Sequence, residues 1–344
     1  MNNGPGSAAA QAPTAMKEEW TVFALTKSLR AIAGALAISA VCASALAAEK
    51  VVAVTSYVEH PALDAVRDGT KDELIAEGFE PGKNLKWDFQ SAQGNAGTAG
   101  QIAKKFVGDN PDAIVVIGTP SAQPMVAATK TIPIVYSAIA DPMAAQLVKD
   151  WKPSGTNVTG MSHMLDPVPQ VEIIKRVVPN AKRVGIVYNP GEANSVSALN
   201  NIKGELQKQG ITLVEAAAPR SVDVAPAAKS LIGKIDVMYT TTDNNVVSVF
   251  ESLAKVCNDA KIPLIASDTG SVKRGAVAAL GVNFYDLGRQ TGKVVARILK
   301  GEKPGDIASS TSKNLELYVN TSAAQKQGVT LSPDFLKSAT KVLN

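Results

Sequence analysis

Polar side chains that directly follow short apolar runs are the residues best placed for chemistry. Thr119 and Ser121 come after the run that ends at Ile117, and Asp268 comes after the run that ends at Ser267. Such runs predict buried strands, so these residues lie at strand ends, where the following helices begin. A helix N-terminus carries free N–H groups and a partial positive charge, which suit a carboxylate. Carboxylates at the same places could pair with an ammonium group, and the two together fit an amino-acid zwitterion.

From this pattern we predict a small-molecule site built from both halves of the chain. Its predicted members share a place at a strand end or a helix start, and they are Ser56, Tyr57, Thr119, Ser121, Ser137, Ala138, Asn194, Ser195, Thr242, Asp243 and Asp268. The two aspartates are the candidates for holding a ligand ammonium group. The alternative for each Ser, Asn or Asp is a purely structural role as a helix N-cap, which these residue types favour.

Four tyrosines also fall at or near predicted strand ends, namely Tyr57, Tyr136, Tyr188 and Tyr239. An aromatic ligand could stack on one or two of them. The alternative is that each ring packs within its own half of the molecule.

Catalytic and metal-binding patterns find little support. His60 and His163 are far apart in the chain, and we expect each to be a surface or hinge residue rather than a base. There is no G-x-S-x-G motif, and the spacing of Gly94, Gly97 and Gly100 does not match a dinucleotide fingerprint. No P-loop and no Cys/His metal cluster is present in the sequence. We therefore expect no enzyme activity, no cofactor and no metal.

Alternating strand-like and helical stretches must position these residues. Continuous apolar strands such as 113–117 and 183–188 alternate with helical stretches, which indicates parallel sheets covered on both faces. The pattern of an Asp, an apolar strand, a helix and an Ile-Pro strand occurs once from Asp112 and again from Asp236. We predict an α/β fold of two doubly wound parallel-sheet lobes joined by a hinge, with the ligand at the carboxyl ends of the strands.

In the predicted division into lobes, the chain crosses from one lobe to the other more than once. Residues 49–160 and about 284–344 are assigned to lobe one, residues 161–283 to lobe two, and residues 1–48 to a leader with a signal peptide. Crossings are expected near Val158–Met161 and Ala278–Phe284, where the order of elements changes.

The N-terminal pattern is typical of a secretory signal. Lys27 and Arg30 precede an apolar run, Ala31–Val41, and Ala45-Leu46-Ala47 follows as a cleavage motif. We expect cleavage near Ala47/Ala48 and a periplasmic or secreted protein. Cys42 is a poor lipidation site because Val41 is bulky, and Cys257 is expected to be a core residue. The net charge of +4 is spread along the chain, so we expect no nucleic-acid binding.

Several motifs resemble the ABC-transporter substrate-binding proteins of the tryptophan/tyrosine type, which have the type I periplasmic-binding fold. The resemblance runs from about Val51 to Val319 and depends on Gly118-Thr119-Pro120-Ser121, Ile132-Pro133-Ile134-Val135, Asp141-Pro142, the segment GTNVTGMS at 155–162, Asn189-Pro190, Asn194-Ser195, Gly275-Ala276 and Gly281. It implies a membrane permease as partner and a small ligand, with an aromatic amino acid favoured and a branched or other small carboxylate still open. We expect a monomer that closes about its hinge. A ligand-sensing domain and a secreted α/β enzyme are the alternatives.

Overall fold

The computed structural model describes Met1, Gly4 and residues 49–344. The predicted signal sequence, with Lys27, Arg30, Cys42 and the cleavage motif, lies outside the described residues, so its prediction stays untested. Residues Glu49–Asn344 form one unit and contain both predicted lobes.

Strands and helices alternate along most of this unit. In chain order the strands are β1 (Lys50–Ser56), β2 (Leu85–Ser91), β3 (Ala113–Ile117), β4 (Ile134–Ile139), β5 (Val158–Ser162), β6 (Arg183–Tyr188), β7 (Thr212–Ala217), β8 (Val237–Thr240), β9 (Leu264–Ala266), β10 (Ala278–Val282), β11 (Ser310–Thr311), β12 (Leu315–Asn320) and β13 (Lys341–Leu343). The helices are α1 (Pro61–Ala76), α2 (Ala96–Asp109), α3 (Thr119–Ala128), α4 (Pro167–Val177), α5 (Ala193–Lys208), α6 (Val224–Ser230), α7 (Asn244–Ser248), α8 (Phe250–Ala260), α9 (Gly270–Lys273), α10 (Phe284–Leu299), α11 (Thr321–Lys326) and α12 (Pro333–Lys337). Of the helices in this part of the chain, none combines the length and the apolar character needed to cross a bilayer.

The strands form two separate sheets, which confirms the predicted fold class. The first sheet has the order β11-β5-β4-β3-β1-β2, and every neighbouring pair is parallel. The second has the order β13-β12-β10-β9-β8-β6-β7 and is parallel except where β12 pairs antiparallel with β10.

The burial of strand β3 shows that helices cover both faces of the first sheet. All five of its residues are buried, because successive side chains point to opposite faces and both faces carry helices. Val115 and Ile117 pack with α1 and α10, whereas Ile114 and Val116 pack with α2 and α3. The second sheet likewise has a hydrophobic core on each face.

The chain passes between the two sheets three times. It leaves the first sheet after β5, returns to lobe one at Asn283 between β10 and α10, and leaves again between β11 and β12. The predicted crossing near Ala278–Phe284 coincides with the second of these. The predicted crossing at Val158–Met161 is instead β5 itself, a strand of the first sheet that the sequence reading did not predict.

The last segment of the chain corrects the predicted division into lobes. Residues 284–311 belong to lobe one as expected, but β12 and β13 lie in the second sheet, and Phe335 lies in the core of lobe two. The apolar pattern of Leu315–Val319 predicts a strand, yet the sheet that the strand joins is set by long-range pairing with β10. Residues 315–344 therefore belong to lobe two.

Candidate ligand-binding cleft

A small cavity lies between the lobes, at the carboxyl ends of both sets of parallel strands, with about 20 Å³ open to the centre of a water-sized sphere. This position is typical of small-molecule sites in α/β proteins. Residues from lobe one, lobe two and the first crossing line it together: His60, Ala62, Leu63, Gly118, Thr119, Ala138, His163, Asn194, Thr242, Asn244, Val247, Asp268 and Phe284.

The wall from lobe one contains the start of helix α3. Gly118 has φ of +90°, a conformation that suits glycine, and this lets β3 turn directly into α3 at Thr119. Pro120 lacks an N–H, and the Ser121 N–H donates to Gly118 O. The wall therefore offers the positive end of the helix and the hydroxyl of Thr119, rather than a row of free N–H groups. The Thr119 Oγ1 is buried and has no hydrogen-bond partner among the described residues.

The wall from lobe two contains Asp268, which is 3% exposed. Its Oδ1 accepts from Ser271 N at 2.9 Å and its Oδ2 accepts from Ser271 Oγ at 2.6 Å. Burial raises the pKa of this carboxyl, and the hydrogen bonds with Ser271 oppose that rise. Asp268 thus lies at the cavity with acceptor capacity left for a ligand donor.

Asp243 lies behind this wall instead of in it. Its carboxylate accepts from Asn189 N at 2.6 Å, from Ser195 Oγ at 2.6 Å and from Val246 N at 3.0 Å, and it caps α7. The side chain is fully buried, and burial raises its pKa. The structural alternative for Asp243, a helix N-cap, is therefore what the geometry shows.

The two histidines are buried at the cavity rather than on the surface. His60 caps α1 through Nδ1, which accepts from Leu63 N at 3.5 Å. His163 lies at the first crossing, where its Nε2 is 2.9 Å from Thr242 Oγ1 and its ring centroid is 5.3 Å from that of Phe284. Burial lowers the pKa of each imidazole to about 4, so both are neutral at pH 7. Beyond His163 and Thr242, a second cavity continues between the lobes, with about 50 Å³ open to the centre of a water-sized sphere.

The structure brings some of the predicted site residues to the cavity and places others elsewhere. Those that line it are Thr119, Ala138, Asn194, Thr242 and Asp268. The remaining six are not among the lining residues, and most of them have protein partners. Ser56 donates to Val58 O, Tyr57 to Gly94 O and Ser195 to Asp243, while the hydroxyl oxygens of Ser137 and Thr291 are 2.7 Å apart. Ser121 is buried beside Ala122 in α3.

Ala138 has a special backbone conformation at this edge. Its φ is +54°, and the pairing of β4 with β5 shifts in register between Ser137 and Ile139. This bulge turns Ser137 towards α10 and leaves the small side chain of Ala138 at the cavity.

Most of the tyrosines pack within their own lobe. Tyr57 and Tyr136 lie in the lobe-one core, and Tyr188 packs against the lobe-two core. Tyr239 is the tyrosine that lines the second cavity, where its hydroxyl donates to Gln170 Oε1 at 3.2 Å.

Sequence reasoning missed several lining residues and one buried acid close behind them. Leu63, Val247 and Phe284 supply apolar surface, and no polar strand-end signal marks such residues. Glu192 is 3% exposed and accepts hydrogen bonds from the side chains of Asn189, Asn194 and Asn244. Its position directly before α5 is the one signal that could have identified it. In the described part of the chain, no group of His, Cys, Asp or Glu is arranged to hold a metal ion.

Comparison with known proteins gives one family. A family model described as ABC transporter substrate binding protein matches residues 51–343. A tyrosine-binding protein of Clostridioides difficile is 40% identical over 272 residues, which is 79% of each chain. The structure of an ABC domain in complex with L-Trp from Streptococcus pneumoniae is 33% identical, superposes with a TM-score of 0.83, and covers 86% of this chain and 100% of its own.

A third relative informs the arrangement of the lobes. The ligand-free, open structure of a substrate-binding protein with adhesive properties from Clostridium difficile is 39% identical and covers 86% of this chain and 99% of its own. Its TM-score is 0.66, lower than that of the tryptophan complex despite the higher sequence identity. The lobes of the present structure are therefore arranged more like those of the ligand-bound relative.

Proposed function

The chain belongs to the family of ABC transporter substrate-binding proteins, and we propose that it binds an aromatic L-amino acid, tryptophan or tyrosine, between its lobes. The observation that carries this proposal is the opposed polarity of the cleft. Lobe one contributes the positive end of α3 with Thr119, and lobe two contributes the carboxylate of Asp268. A zwitterion bridging the walls places its carboxylate at α3 and its ammonium at Asp268.

The aromatic ring has apolar surface available in the same cavity. Leu63 provides it from lobe one, Val247 from lobe two, and Phe284 from the start of α10, directly after the second crossing. The relatives that bind tyrosine and tryptophan support an aromatic side chain for the ligand. A ligand in contact with all three elements stabilises the closed arrangement, because an open cleft would lose part of these contacts.

Calorimetry on the ligand-free protein tests the proposal. L-tryptophan and L-tyrosine are titrated beside L-leucine and the deaminated analogues indole-3-propionate and 3-(4-hydroxyphenyl)propionate. We expect an aromatic amino acid to bind at least about a hundredfold more tightly than its deaminated analogue, since Asp268 would otherwise lack its cationic partner. Equal binding of leucine, or equal binding of the deaminated analogue, would argue against this ligand class.

We further propose that the protein is exported, acts as a monomer outside the cytoplasm, and delivers its ligand unchanged to a membrane permease. The family and the N-terminal Lys/Arg, apolar and Ala-Leu-Ala pattern support this. N-terminal sequencing of exported protein should give a start near Ala48 or Glu49. Mass spectrometry of the ligand recovered after incubation should give its original mass, and a changed mass would favour an enzyme.

A further inference from the structure

Glu192 is an acidic residue buried directly behind the lobe-two wall. Its Oε1 accepts from Asn189 Nδ2 at 3.1 Å, and its Oε2 accepts from Asn194 Nδ2 at 3.1 Å and from Asn244 Nδ2 at 2.6 Å. Three side-chain amides therefore converge on one carboxylate, and two of these amides belong to residues that line the cavity.

The chemistry of a carboxylate fixes which way these amides point. An ionised carboxylate only accepts hydrogen bonds, so each neighbouring amide must turn its NH₂ group towards it. The amide oxygens of Asn194 and Asn244 then point away from Glu192. The Asn194 Oδ1 is buried at the cavity wall, and it has no hydrogen-bond partner in the range 49–344.

We propose that Glu192 is a positioning residue for ligand binding: it orients the amide of Asn194 so that the lobe-two wall presents the unpartnered Asn194 Oδ1 as an acceptor in the cavity that Asp268 also lines. Such a wall selects the ammonium group of an amino acid and disfavours a ligand that lacks it. This inference rests on the proposed function, since it assigns the part of the site that recognises the amino group.

The surroundings of Glu192 fit this role. Burial raises the pKa of Glu192, the nearby Asp243 raises it further, and the three amides act in the opposite direction. Asp243 has its own three donors, so the amides around Glu192 are not shared with it. Two buried carboxylates behind one wall also make that wall favourable for a cation.

Two substitutions at Glu192 separate amide orientation from charge. Glu192→Met removes the acceptor, so we expect the preference for L-tryptophan over indole-3-propionate to fall by about ten- to a hundredfold. Glu192→Gln removes the charge but retains a carbonyl oxygen at a similar position, so the preference should stay within about fivefold of the parent. Equal losses in both variants would mean that charge acts rather than orientation, and would overturn the proposal.

A matched control and a second site keep the test decisive. Glu205 is another buried acid, within α5, and it is not among the residues that line the cavity, so Glu205→Met should leave the preference unchanged. If Glu192→Met does not fold, as judged by circular dichroism, Asn194→Leu replaces it, because it removes the oriented oxygen directly. An unchanged preference in Asn194→Leu would overturn the proposal. If the parent itself binds no aromatic amino acid, the proposed function fails and the role of Glu192 fails with it.

Discussion

At the scale of single residues, the two aspartates that the sequence could not distinguish have different surroundings. Asp268 lines the cavity, whereas Asp243 is enclosed by Asn189, Ser195 and Val246. We expect Asp268→Asn to weaken binding of L-tryptophan by about thirty- to several-thousandfold, because the ligand ammonium loses a buried charged partner. Calorimetry with the purified variant measures this directly.

Asp243→Asn serves as the comparison for that prediction. Asparagine is a good N-cap, so α7 keeps its cap, while the loss of the charged acceptor lowers the free energy of unfolding. We expect a smaller effect on affinity than at Asp268. A larger affinity loss at Asp243 than at Asp268 would reverse the assignment of the ammonium site.

The lowered pKa of His60 predicts how the free energy of unfolding changes at acidic pH. Burial lowers its pKa to about 4 from about 6.5 in an unfolded chain, so between these values the unfolded chain binds more protons. The contribution of His60 to the free energy of unfolding is therefore highest above about pH 6.5, where the imidazole is neutral in both states. It falls as the pH drops towards 4, and the total loss from this residue is about 3 kcal/mol.

His60→Asn isolates this contribution, because asparagine can cap α1 and does not titrate. We expect urea unfolding to give a variant that loses less stability than the parent between pH 7 and pH 4.5. The raised pKa values of Asp243 and Asp268 act in the opposite direction, but they are common to both proteins and cancel in the difference. Parallel stability curves for the two proteins would contradict the prediction.

At the scale of elements, close packing between α1 and α10 holds lobe one together. Gly69 on α1 and Gly288 on α10 allow the two backbones to approach, and Thr70 Oγ1 donates to Gly288 O at 3.1 Å. A Cβ at Gly288 would overlap the backbone of Val66, which side-chain motion cannot relieve. We expect Gly288→Ala to lower the free energy of unfolding by about 1–3 kcal/mol or more.

Gly100→Ala on α2 is the matched control in that experiment. An added Cβ there would meet no other heavy atom of the described residues within 4 Å, so alanine should stabilise the helix by up to about 1 kcal/mol. Chemical denaturation of both variants shows whether each substitution raises or lowers the free energy of unfolding. Destabilisation by Gly100→Ala as large as that by Gly288→Ala would show that the helix contact is not the cause.

The local hydrophobic pattern predicted the bounds of several strands well, but it predicted less well which sheet each strand joins. The predicted bounds of β3 and β6 are those observed, because each run is apolar and ends at a turn signal. Strand β5 was missed because VTGMS holds a glycine and small polar residues. Its Gly160 is required there, since a Cβ would meet the Tyr136 side chain at 2.5 Å.

Local sequence position was likewise an incomplete guide to which side chains line the cavity. Position at a strand end or a helix start predicted Thr119, Asn194 and Asp268 at the cavity, but it also predicted Ser137, which a register shift turns towards α10. Bulges and long-range partners are tertiary features, so no local pattern could separate these cases. Glu192 was missed because its hydrogen-bond partners include Asn244, which is distant in sequence.

At the scale of the whole molecule, three crossings of the chain connect the two lobes. His163 lies in the first crossing and Phe284 directly follows the second; their rings contact each other, and both residues line the cavity. A ligand bound at this position would touch both lobes and the hinge, so we expect binding and closure to be coupled. We expect small-angle scattering to give a smaller radius of gyration once L-tryptophan is added, and no change beyond error would contradict closure.

One direct hydrogen bond between the lobes offers a way to test what stabilises the closed arrangement. Ser197 on α5 of lobe two donates to Asp141 Oδ2 in lobe one at 2.7 Å, while Asp141 Oδ1 caps its own turn at Met143 and Ala144. Ser197→Ala removes the contact between lobes and leaves that turn intact. Because an open cleft would lose this bond, we expect the variant to bind L-tryptophan about two- to tenfold more weakly, with little change in thermal stability.

The control for this last prediction is Ser230→Ala, in which an exposed hydroxyl on α6 loses a bond to Ala227 O within lobe two. Both variants lose one serine hydroxyl, but the Ser197 hydroxyl connects the lobes. Calorimetry should therefore give a weaker affinity for Ser197→Ala and the parental affinity for Ser230→Ala. Scattering of ligand-free Ser197→Ala should also shift towards the more extended form. Equal affinities for the two variants would mean that the ligand and the hinge, rather than this contact, determine closure.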